Sequence, residues 1–135
     1  TLLKKGKWKK NMGSLLKDKR VGIIGCGKIG SRVAEILNFM GAEIVFCDIC
    51  DISVPYKRMN YDNILKTADI ITLHISGKEK ILTKENIKLI KKGAIIINTS
   101  RGGLIDEDAL YSALKNGDIA WACLDVFNKE PYNGP

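Results

Sequence analysis

Short apolar runs separated by amphipathic segments dominate the chain. Five runs occupy residues 21–25, 42–46, 69–73, 94–98 and 119–126, and most are rich in isoleucine and valine and nearly free of charge. A strand with one face in water alternates apolar and polar residues, whereas most of these runs do not alternate. The pattern therefore predicts five strands that are buried on both faces of a parallel sheet.

Four helical segments are predicted between the strands, at residues 28–40, 61–67, 83–91 and 106–116. The first stops at Gly41 and carries an apolar stripe, which consists of Ile29, Val33, Ile36, Leu37 and Met40. Thr83 and Asp106 stand where the third and fourth helices need N-cap residues. Residues 49–60 are predicted to be a loop. Alternation of strands and helices predicts an α/β fold with a doubly wound parallel sheet in three layers.

Basic residues are concentrated at the start of the chain. The sequence has 135 residues, of which 45% are hydrophobic and 27% charged, as is typical of a globular domain. Residues 1–20 account for the whole net charge of +7, because basic and acidic residues balance in the remainder. We interpret residues 1–20 as a solvated connecting segment and residues 21–135 as the folded domain. Contact between the lysines and nucleic acid is the alternative, although we expect no nucleic-acid partner.

The chain lacks the signals of a membrane or secreted protein. No apolar run approaches the length of a membrane-spanning helix, and no apolar signal region follows the lysine-rich start. We therefore predict a cytoplasmic protein without a membrane partner. The chain begins with Thr1 and stops in a loop-like segment after the last predicted strand. We expect it to be a fragment of a longer protein.

The four cysteines do not form a recognisable metal site. They are Cys26, Cys47, Cys50 and Cys123. Cys47 and Cys50 form a CxxC pair, but no second pair follows at metal-binding spacing, and His74 is the only histidine. We interpret the cysteines as small core or strand-end residues in a reducing compartment, and we predict no metal.

The turn after the first strand carries the first candidate binding site. Gly25, Gly27 and Gly30 form a GxGxxG pattern between a predicted strand and a predicted helix. The first glycine permits a tight turn, the second lets a diphosphate approach the backbone, and the third lets the helix pack on the strand. The N–H groups near Lys28 and Ile29 would hold the phosphates at the helix N-terminus.

Asp48 lies at the end of the second strand, 18 residues after Gly30. A carboxylate at this spacing accepts hydrogen bonds from the adenosine ribose hydroxyls and repels a 2′-phosphate. The sequence therefore predicts NAD as the cofactor. NADP is the lesser alternative, because Lys57 and Arg58 lie further along the loop and could bend back toward Asp48.

Several longer motifs resemble a known family. GCGKIG, the LHI after the third strand, INTSRGGLIDEDAL and LDVFNKEP closely resemble the NAD-binding domain of the D-2-hydroxyacid dehydrogenases, from about Trp8 to Pro131. The nearest resemblance is to phosphoglycerate-dehydrogenase-like members. It implies a Rossmann-type domain, a substrate domain built from flanking segments, and a homodimer.

The resemblance also implies site residues on the substrate side. Arg101 follows the fourth strand, at the sheet edge where α/β proteins bind ligands. Its guanidinium can hold a 2-hydroxy or 2-keto carboxylate at two points and polarise the carbonyl. Thr99 and Ser100 would line the nicotinamide, and Asp125 would contact its carboxamide. Glu130 would pair with a catalytic histidine, because a carboxylate raises the pKa of a histidine and fixes its tautomer.

His74 is the only histidine of the chain, but the resemblance implies that it is not the proton donor. The family's catalytic histidine follows the segment matching LDVFNKEP, which places it beyond Pro135. We expect His74 at the rim of the cofactor site and Ile75 in contact with the nucleotide. Ser76 replaces the family's usual proline, and the loop that follows is shorter than usual.

These observations predict the NAD-binding domain of a D-2-hydroxyacid dehydrogenase. The whole enzyme would move a hydride between the nicotinamide and C2 of a small 2-hydroxy or 2-keto acid, whereas the 135 residues alone would be inactive. One alternative is a dinucleotide-sensing or corepressor-type protein of the same fold without turnover. The other is a nucleic-acid binder that acts through the basic leader.

Overall fold

A computed structural model describes residues 13–77 and 79–134. Its strands are β1 (Arg20–Ile24), β2 (Glu43–Cys47), β3 (Lys57–Arg58), β4 (Ile70–Leu73), β5 (Ala94–Asn98) and β6 (Ile119–Leu124). Its α-helices are α1 (Lys28–Phe39), α2 (Tyr61–Thr67) and α3 (Glu107–Asn116). Two short 3-10 helices occupy Ile87–Leu89 and Gly102–Leu104.

All six strands form one parallel sheet in the order β3-β2-β1-β4-β5-β6. The chain builds outward from β1 to β2 and β3, and then crosses to the other side of β1 to add β4, β5 and β6. The predicted doubly wound α/β sheet is confirmed. The reversal of strand order beside β1 opens a crevice at the carboxyl ends of β1 and β4, where such sheets bind ligands.

Two hydrophobic clusters cover the two faces of the sheet and make the fold three-layered. On one face Ala34 of α1 packs against side chains of β1 and β2, such as Ile23 and Phe46. On the other face α2 and α3 pack against residues such as Ile71 of β4 and Ile96 of β5. Successive strand residues point to opposite faces, so the uninterrupted apolar runs serve both clusters.

The helices α2 and α3 agree with the sequence pattern. The side chain of Asn60 accepts a hydrogen bond from the Asn63 N–H at the start of α2. Asp106 caps α3 by accepting from the Ala109 N–H, and Gly117 ends α3 in the left-handed conformation at φ 74°. Both ends of α3 therefore have the residues that a helix terminus requires.

The predicted apolar stripe of α1 is only partly buried. Val33 and Leu37 pack against the core, but Ile29 is 70% exposed and Ile36 is 50% exposed. The buried residues of α1 are Gly30 and Ala34. Small side chains let the helix approach the sheet closely, so the larger apolar residues beside them remain at the surface.

The predicted helix at 83–91 is instead a series of turns that ends in the 3-10 helix at Ile87–Leu89. The N-cap of this short helix is Asn86 and not the predicted Thr83, whose hydroxyl accepts from the Asn86 N–H at 3.4 Å. The Asn86 side chain in turn accepts from the Thr83 N–H and donates to the Ile81 carbonyl. Local side-chain bonds of this kind compete with a regular helix.

Two further expectations about the sheet were wrong. The predicted loop at 49–60 contains β3, which pairs with Val45 and Phe46 of β2. The last strand, β6, is not buried on both faces, since Ala120, Trp121 and Cys123 are exposed and Trp121 is 69% exposed. Among the described residues, no helix has both the length and the apolar character needed to span a membrane.

Candidate functional site

A cleft of about 970 Å³ lies at the carboxyl ends of β1, β2 and β4. Five residues that the sequence assigned to the cofactor line this cleft: Gly25, Gly27, Asp48, His74 and Ile75. The start of α2 and the loop after β2 complete its wall. The cleft therefore coincides with the crevice that the strand order creates.

The glycine turn has the geometry that the GxGxxG pattern requires. Gly25 has φ 89°, and a side chain there would collide with the backbone of His74. A Cβ on Gly30 would lie 2.0 Å from the Gly25 carbonyl oxygen, so only glycine allows α1 to sit this close to β1. Gly27 faces open space, which leaves its backbone accessible to a ligand. Lys28 and Ile29 form the exposed first turn of α1, whose N–H groups have no intrahelical acceptor.

The Asp48 carboxylate connects the glycine turn to the loop after β2. Its Oδ2 accepts from the Cys26 N–H at 2.7 Å, and its Oδ1 accepts from the Cys50 N–H at 2.9 Å. These bonds fix the orientation of the carboxylate, while each oxygen retains capacity for a further donor. This arrangement suits the two neighbouring hydroxyls of a ribose.

His74 and Ile75 directly follow β4 at the rim of the cleft. The His74 Nε2 lies 3.0 Å from the Thr72 hydroxyl oxygen. Burial lowers the pKa of His74, so the neutral imidazole is favoured. A neutral histidine bonded to its own strand is suited to lining the cleft.

The cysteines give no metal-binding cluster among the described residues, where all four are free thiols. Cys26 is buried and Cys47 is half-buried, but the expectation of core or strand-end positions fails for Cys50, which is exposed in a loop. Cys123 ends up exposed on the edge strand β6. Burial, and then the charge of Asp48, raises the pKa of the Cys47 thiol to about 11, which disfavours the reactive thiolate.

Thr99 and Ser100 follow β5 and form the next part of the same sheet edge. The Ser100 hydroxyl donates to the Leu73 carbonyl, and its N–H donates to the Asn98 side chain at 3.0 Å. The Asn98 side chain also donates to the Arg101 carbonyl at 2.9 Å. The turn that carries Arg101 is thus held by the buried side chain of Asn98.

Arg101, Asp125 and Glu130 are exposed and lie outside the lining of the cleft. The Arg101 guanidinium donates to the carbonyl of its neighbour Ser100, and Glu130 accepts from the Phe127 N–H at 3.1 Å. The Asp125 N–H donates to the Asn98 carbonyl. The structure therefore brings Asp125 to the end of β5 but joins neither Arg101 nor Glu130 to the cleft.

A backbone contact joins the Arg101 turn to the loop that carries Glu130. A Cβ on Gly102 would lie 2.0 Å from the backbone carbon of Phe127, so the two segments touch. Glu107, at the start of α3, accepts from the Asn128 N–H at 2.7 Å. The Asn128 side chain donates to the Ile105 carbonyl. These contacts fix the two loops relative to each other.

Sequence reasoning assigned no cofactor or substrate role to Tyr61, Asn98 and Glu107, and it considered Arg58 only as a residue that could bend back toward Asp48. Arg58 and Tyr61 belong to the cleft, whereas Asn98 and Glu107 support the Arg101 side. The polar Asn98 at the end of an apolar strand is a usable sequence signal. The other three act through contacts between distant segments, which local patterns do not reveal.

Comparisons with known proteins agree with this geometry. The family described as D-isomer specific 2-hydroxyacid dehydrogenase, NAD binding domain, matches residues 1–135. The D-3-phosphoglycerate dehydrogenase of Methanocaldococcus jannaschii is 42% identical over 140 residues, which cover 96% of this chain and 27% of that protein.

Two solved structures share the fold closely. One is D-lactate dehydrogenase with NAD+ from Lactobacillus jensenii, with a TM-score of 0.86, 35% identity and coverage of 95% of this chain and 42% of that one. The other is an acyclic imino acid reductase in complex with NADPH and D-Arg, with a TM-score of 0.89, 37% identity and coverage of 97% and 45%. The chain spans less than half the length of each of these proteins. It belongs to the D-isomer-specific 2-hydroxyacid dehydrogenase family and corresponds to the NAD-binding domain of those proteins.

Proposed function

We propose that the full-length protein is a phosphoglycerate-dehydrogenase-like oxidoreductase that moves a hydride between NAD and C2 of a small 2-hydroxy or 2-keto acid. The observation that carries this proposal is the Asp48 carboxylate, which is hydrogen-bonded to both the glycine turn and the following loop. It stands in a cleft whose floor is free of side chains at Gly27. This arrangement fits a diphosphate joined to an adenosine ribose.

In this proposal the cofactor lies along the carboxyl edge of the sheet. The glycines of the turn and the N–H groups of Lys28 and Ile29 hold the diphosphate. Asp48 accepts from the ribose hydroxyls, and His74 and Ile75 line the middle of the site. Thr99 and Ser100 border the nicotinamide, and Asp125 contacts its carboxamide.

The cofactor supplies the hydride chemistry, and the protein supplies position and charge. Arg101 holds the substrate carboxylate and polarises the neighbouring carbonyl. Glu130 orients a histidine that lies outside these 135 residues and transfers the proton at the substrate oxygen. The lowered pKa of His74 and its position next to Thr72 support assigning the proton transfer to another histidine.

The remaining properties are proposed from the family. Residues 1–20, of which Arg20 already belongs to β1, connect the domain to a substrate domain built from flanking segments, and the protein works in the cytoplasm as a homodimer. Exposed apolar side chains on α1, such as the 93%-exposed Phe39 and the 70%-exposed Ile29, support a further packing surface. The relatives named above differ in substrate, so we propose the class of acid and not one member of it.

Calorimetry with NADH tests the cofactor role on the 135-residue chain. In Asp48→Asn we expect at least tenfold weaker binding, because a hydrogen bond to a charged group contributes about 1.5–3 kcal/mol. Asp51→Asn is the matched control, since Asp51 is an exposed carboxylate in the same loop and should change the affinity less than about twofold. Equal NADH affinity in wild type and Asp48→Asn would refute the cofactor role.

Turnover tests the enzymatic role separately. We expect negligible reduction of small 2-keto acids by the 135 residues and measurable reduction by the full-length protein. Arg101→Lys in the full-length protein should raise KM, because an ammonium cannot reproduce two-point binding of a carboxylate. NADH binding without any turnover by the full-length protein would indicate a dinucleotide sensor instead.

A further inference from the structure

Arg58 closes the loop that follows Asp48. It lies at the end of β3, and its side chain turns back across the loop base toward β2. The Arg58 Nη2 donates to the Asp48 carbonyl at 2.7 Å and to the Cys50 carbonyl at 3.0 Å. Its Nη1 donates to the Asp51 carboxylate at 3.1 Å. One guanidinium thus binds three residues of the segment that presents the Asp48 carboxylate.

The two carbonyl bonds hold the backbone on both sides of Ile49. The Asp48 carboxylate reaches from this segment to the Cys26 N–H in the glycine turn and to the Cys50 N–H in the loop. Arg58, the Asp48 segment and the glycine turn therefore form one connected hydrogen-bond network. The planar guanidinium is well suited to this task, because its donors have a fixed geometry.

The same guanidinium also lines the cleft, so direct contact with a 2′-phosphate is the alternative to a positioning role. Three observations favour a positioning role. Both hydrogens of Nη2 are committed to backbone carbonyls, Nη1 is directed at Asp51, and the Asp48 carboxylate repels a phosphate at this corner. The ion pair with Asp51 is exposed and contributes little by itself, so the two carbonyl bonds carry the function.

We infer that Arg58 is a positioning residue for the adenosine ribose: it holds the Asp48 segment so that the carboxylate is oriented for the ribose hydroxyls and discriminates against a 2′-phosphate. This inference rests on the proposed cofactor role of Asp48. Arg58 acts through Asp48 and through no contact of its own with the cofactor.

The test compares binding of NADH and NADPH to the 135-residue chain by calorimetry and by displacement titration. Because Arg58→Ala frees the Asp48 segment, we expect NADH binding to weaken about tenfold through lost preorganisation, while NADPH binding weakens less. The preference for NADH over NADPH should therefore shrink. Arg58→Lys should recover part of the NADH affinity, since an ammonium can still donate to the two carbonyls.

Two control variants separate the effect of the Arg58 hydrogen bonds to the two carbonyls from the effects of charge and of the ion pair. Lys57→Ala removes the same charge from the neighbouring exposed position of β3, and Asp51→Ala removes only the exposed ion pair. Both should keep NADH affinity within about twofold of wild type. Thermal unfolding of every variant, followed by circular dichroism, checks that the binding data come from folded protein.

A double-mutant cycle gives the second measurement. If Arg58 acts through Asp48, Arg58→Ala should weaken NADH binding less than about twofold in an Asp48→Asn background. Additive losses in the cycle, or an unchanged NADH/NADPH preference in Arg58→Ala, would mean a general structural role and would overturn the inference. A larger loss for NADPH than for NADH would identify Arg58 as a phosphate ligand and would overturn it too. If wild type binds no NADH, the proposed function itself fails.

Discussion

The two ends of the carboxyl edge of the sheet are built differently. At the β1–β2 end, the Asp48 carboxylate is held by two backbone N–H groups, and Arg58 holds its backbone in turn. At the β5–β6 end, Arg101 and Glu130 are exposed, and their side chains bond only to backbone groups one and three residues away in the hydrogen bonds described above. At the β1–β2 end the Asp48 carboxylate is already oriented for a ligand. At the β5–β6 end the loops are fixed, but the side chains of Arg101 and Glu130 are not oriented toward a ligand.

This difference separates cofactor binding from substrate binding. Groups that are fixed before binding lose little conformational entropy when the ligand arrives, so the adenosine end can bind without help from other segments. Arg101 and Glu130 must be oriented during binding, and in the proposed enzyme the substrate and the substrate domain would do this. We therefore expect cofactor binding and turnover to respond to different substitutions.

The largest effect is expected from Gly30→Ala, which destabilises the fold at the β1–β2 end, where α1 packs against the glycine turn. The added Cβ would lie 2.0 Å from the Gly25 carbonyl oxygen, and a backbone contact cannot rotate away. We expect a loss of about 3 kcal/mol or more in the free energy of unfolding, measured by urea denaturation.

Gly27→Ala provides the contrast in the same turn. Its Cβ would meet nothing within 4 Å, so the free energy of unfolding should change by less than about 1 kcal/mol. NADH binding should nevertheless weaken at least tenfold, because the methyl group would occupy space that the diphosphate approaches. Wild-type stability of Gly30→Ala would contradict the close packing of α1. Wild-type NADH affinity of Gly27→Ala would contradict the position of the diphosphate.

A smaller effect is expected from Asn98→Ala, which removes the side chain that holds the Arg101 turn at the β5–β6 end. The variant leaves the Ser100 N–H and the Arg101 carbonyl without their partner in a buried turn. We expect a loss of about 2 kcal/mol in the free energy of unfolding by urea denaturation. NADH affinity should change less than about threefold, since Asn98 does not line the cleft.

Asn38→Ala, at an exposed position of α1, is the control and should change the stability by less than about 0.5 kcal/mol. The pair Asp48→Asn and Asn98→Ala then sharpens the comparison of the two ends. The first should lose more binding than stability, because its amide keeps one acceptor oxygen for the two N–H groups, and the second should lose stability with little loss of binding. The reverse outcome would show that the two ends are not separate units.

The features that depend on local chemistry could be predicted from the sequence. Four of the predicted strands have limits within one residue of the observed ones, and α3 begins after the predicted cap Asp106. The GxGxxG turn could be predicted as well, because the requirement for glycine follows from backbone geometry at Gly25 and Gly30. These features need no knowledge of distant segments.

Features that depend on distant segments were missed. The exposed side of α1 follows from how closely Gly30 lets the helix approach the sheet, which helical periodicity does not encode. The sequence indicates only that Arg58 could bend back toward Asp48, whereas its hydrogen bonds to the Asp48 and Cys50 carbonyls depend on the path of the loop after β2. The bond from the Asn128 N–H to Glu107 joins residues 21 positions apart. A sequence pattern supplies the residue types at such contacts but not the meeting of the two segments.

The smallest expected effect comes from His74, which lies between the two ends. Burial lowers its pKa from 6.5, so the unfolded chain takes up a proton that the folded chain excludes. The contribution of neutral His74 to the free energy of unfolding should therefore be fully present above about pH 7. It should be lost as the pH drops from about 6.5 toward the folded-state pKa. The loss should be smaller than that caused by Asn98→Ala.

Thermal unfolding between about pH 7.5 and 5.5 isolates this effect, because His74 is the only histidine of the sequence. The pKa of Asp106, with its side chain bonded to the Ala109 N–H, lies below 3.8, so its contribution is lost only at lower pH. The same holds for Asp69, where the bonds from Lys91 and Arg20 outweigh the effect of burial and lower the pKa. His74→Gln keeps a polar group near Thr72 and should flatten the melting temperature across this window. Parallel curves of melting temperature against pH for wild type and His74→Gln would show that the folded protein does not hold the imidazole in its neutral form.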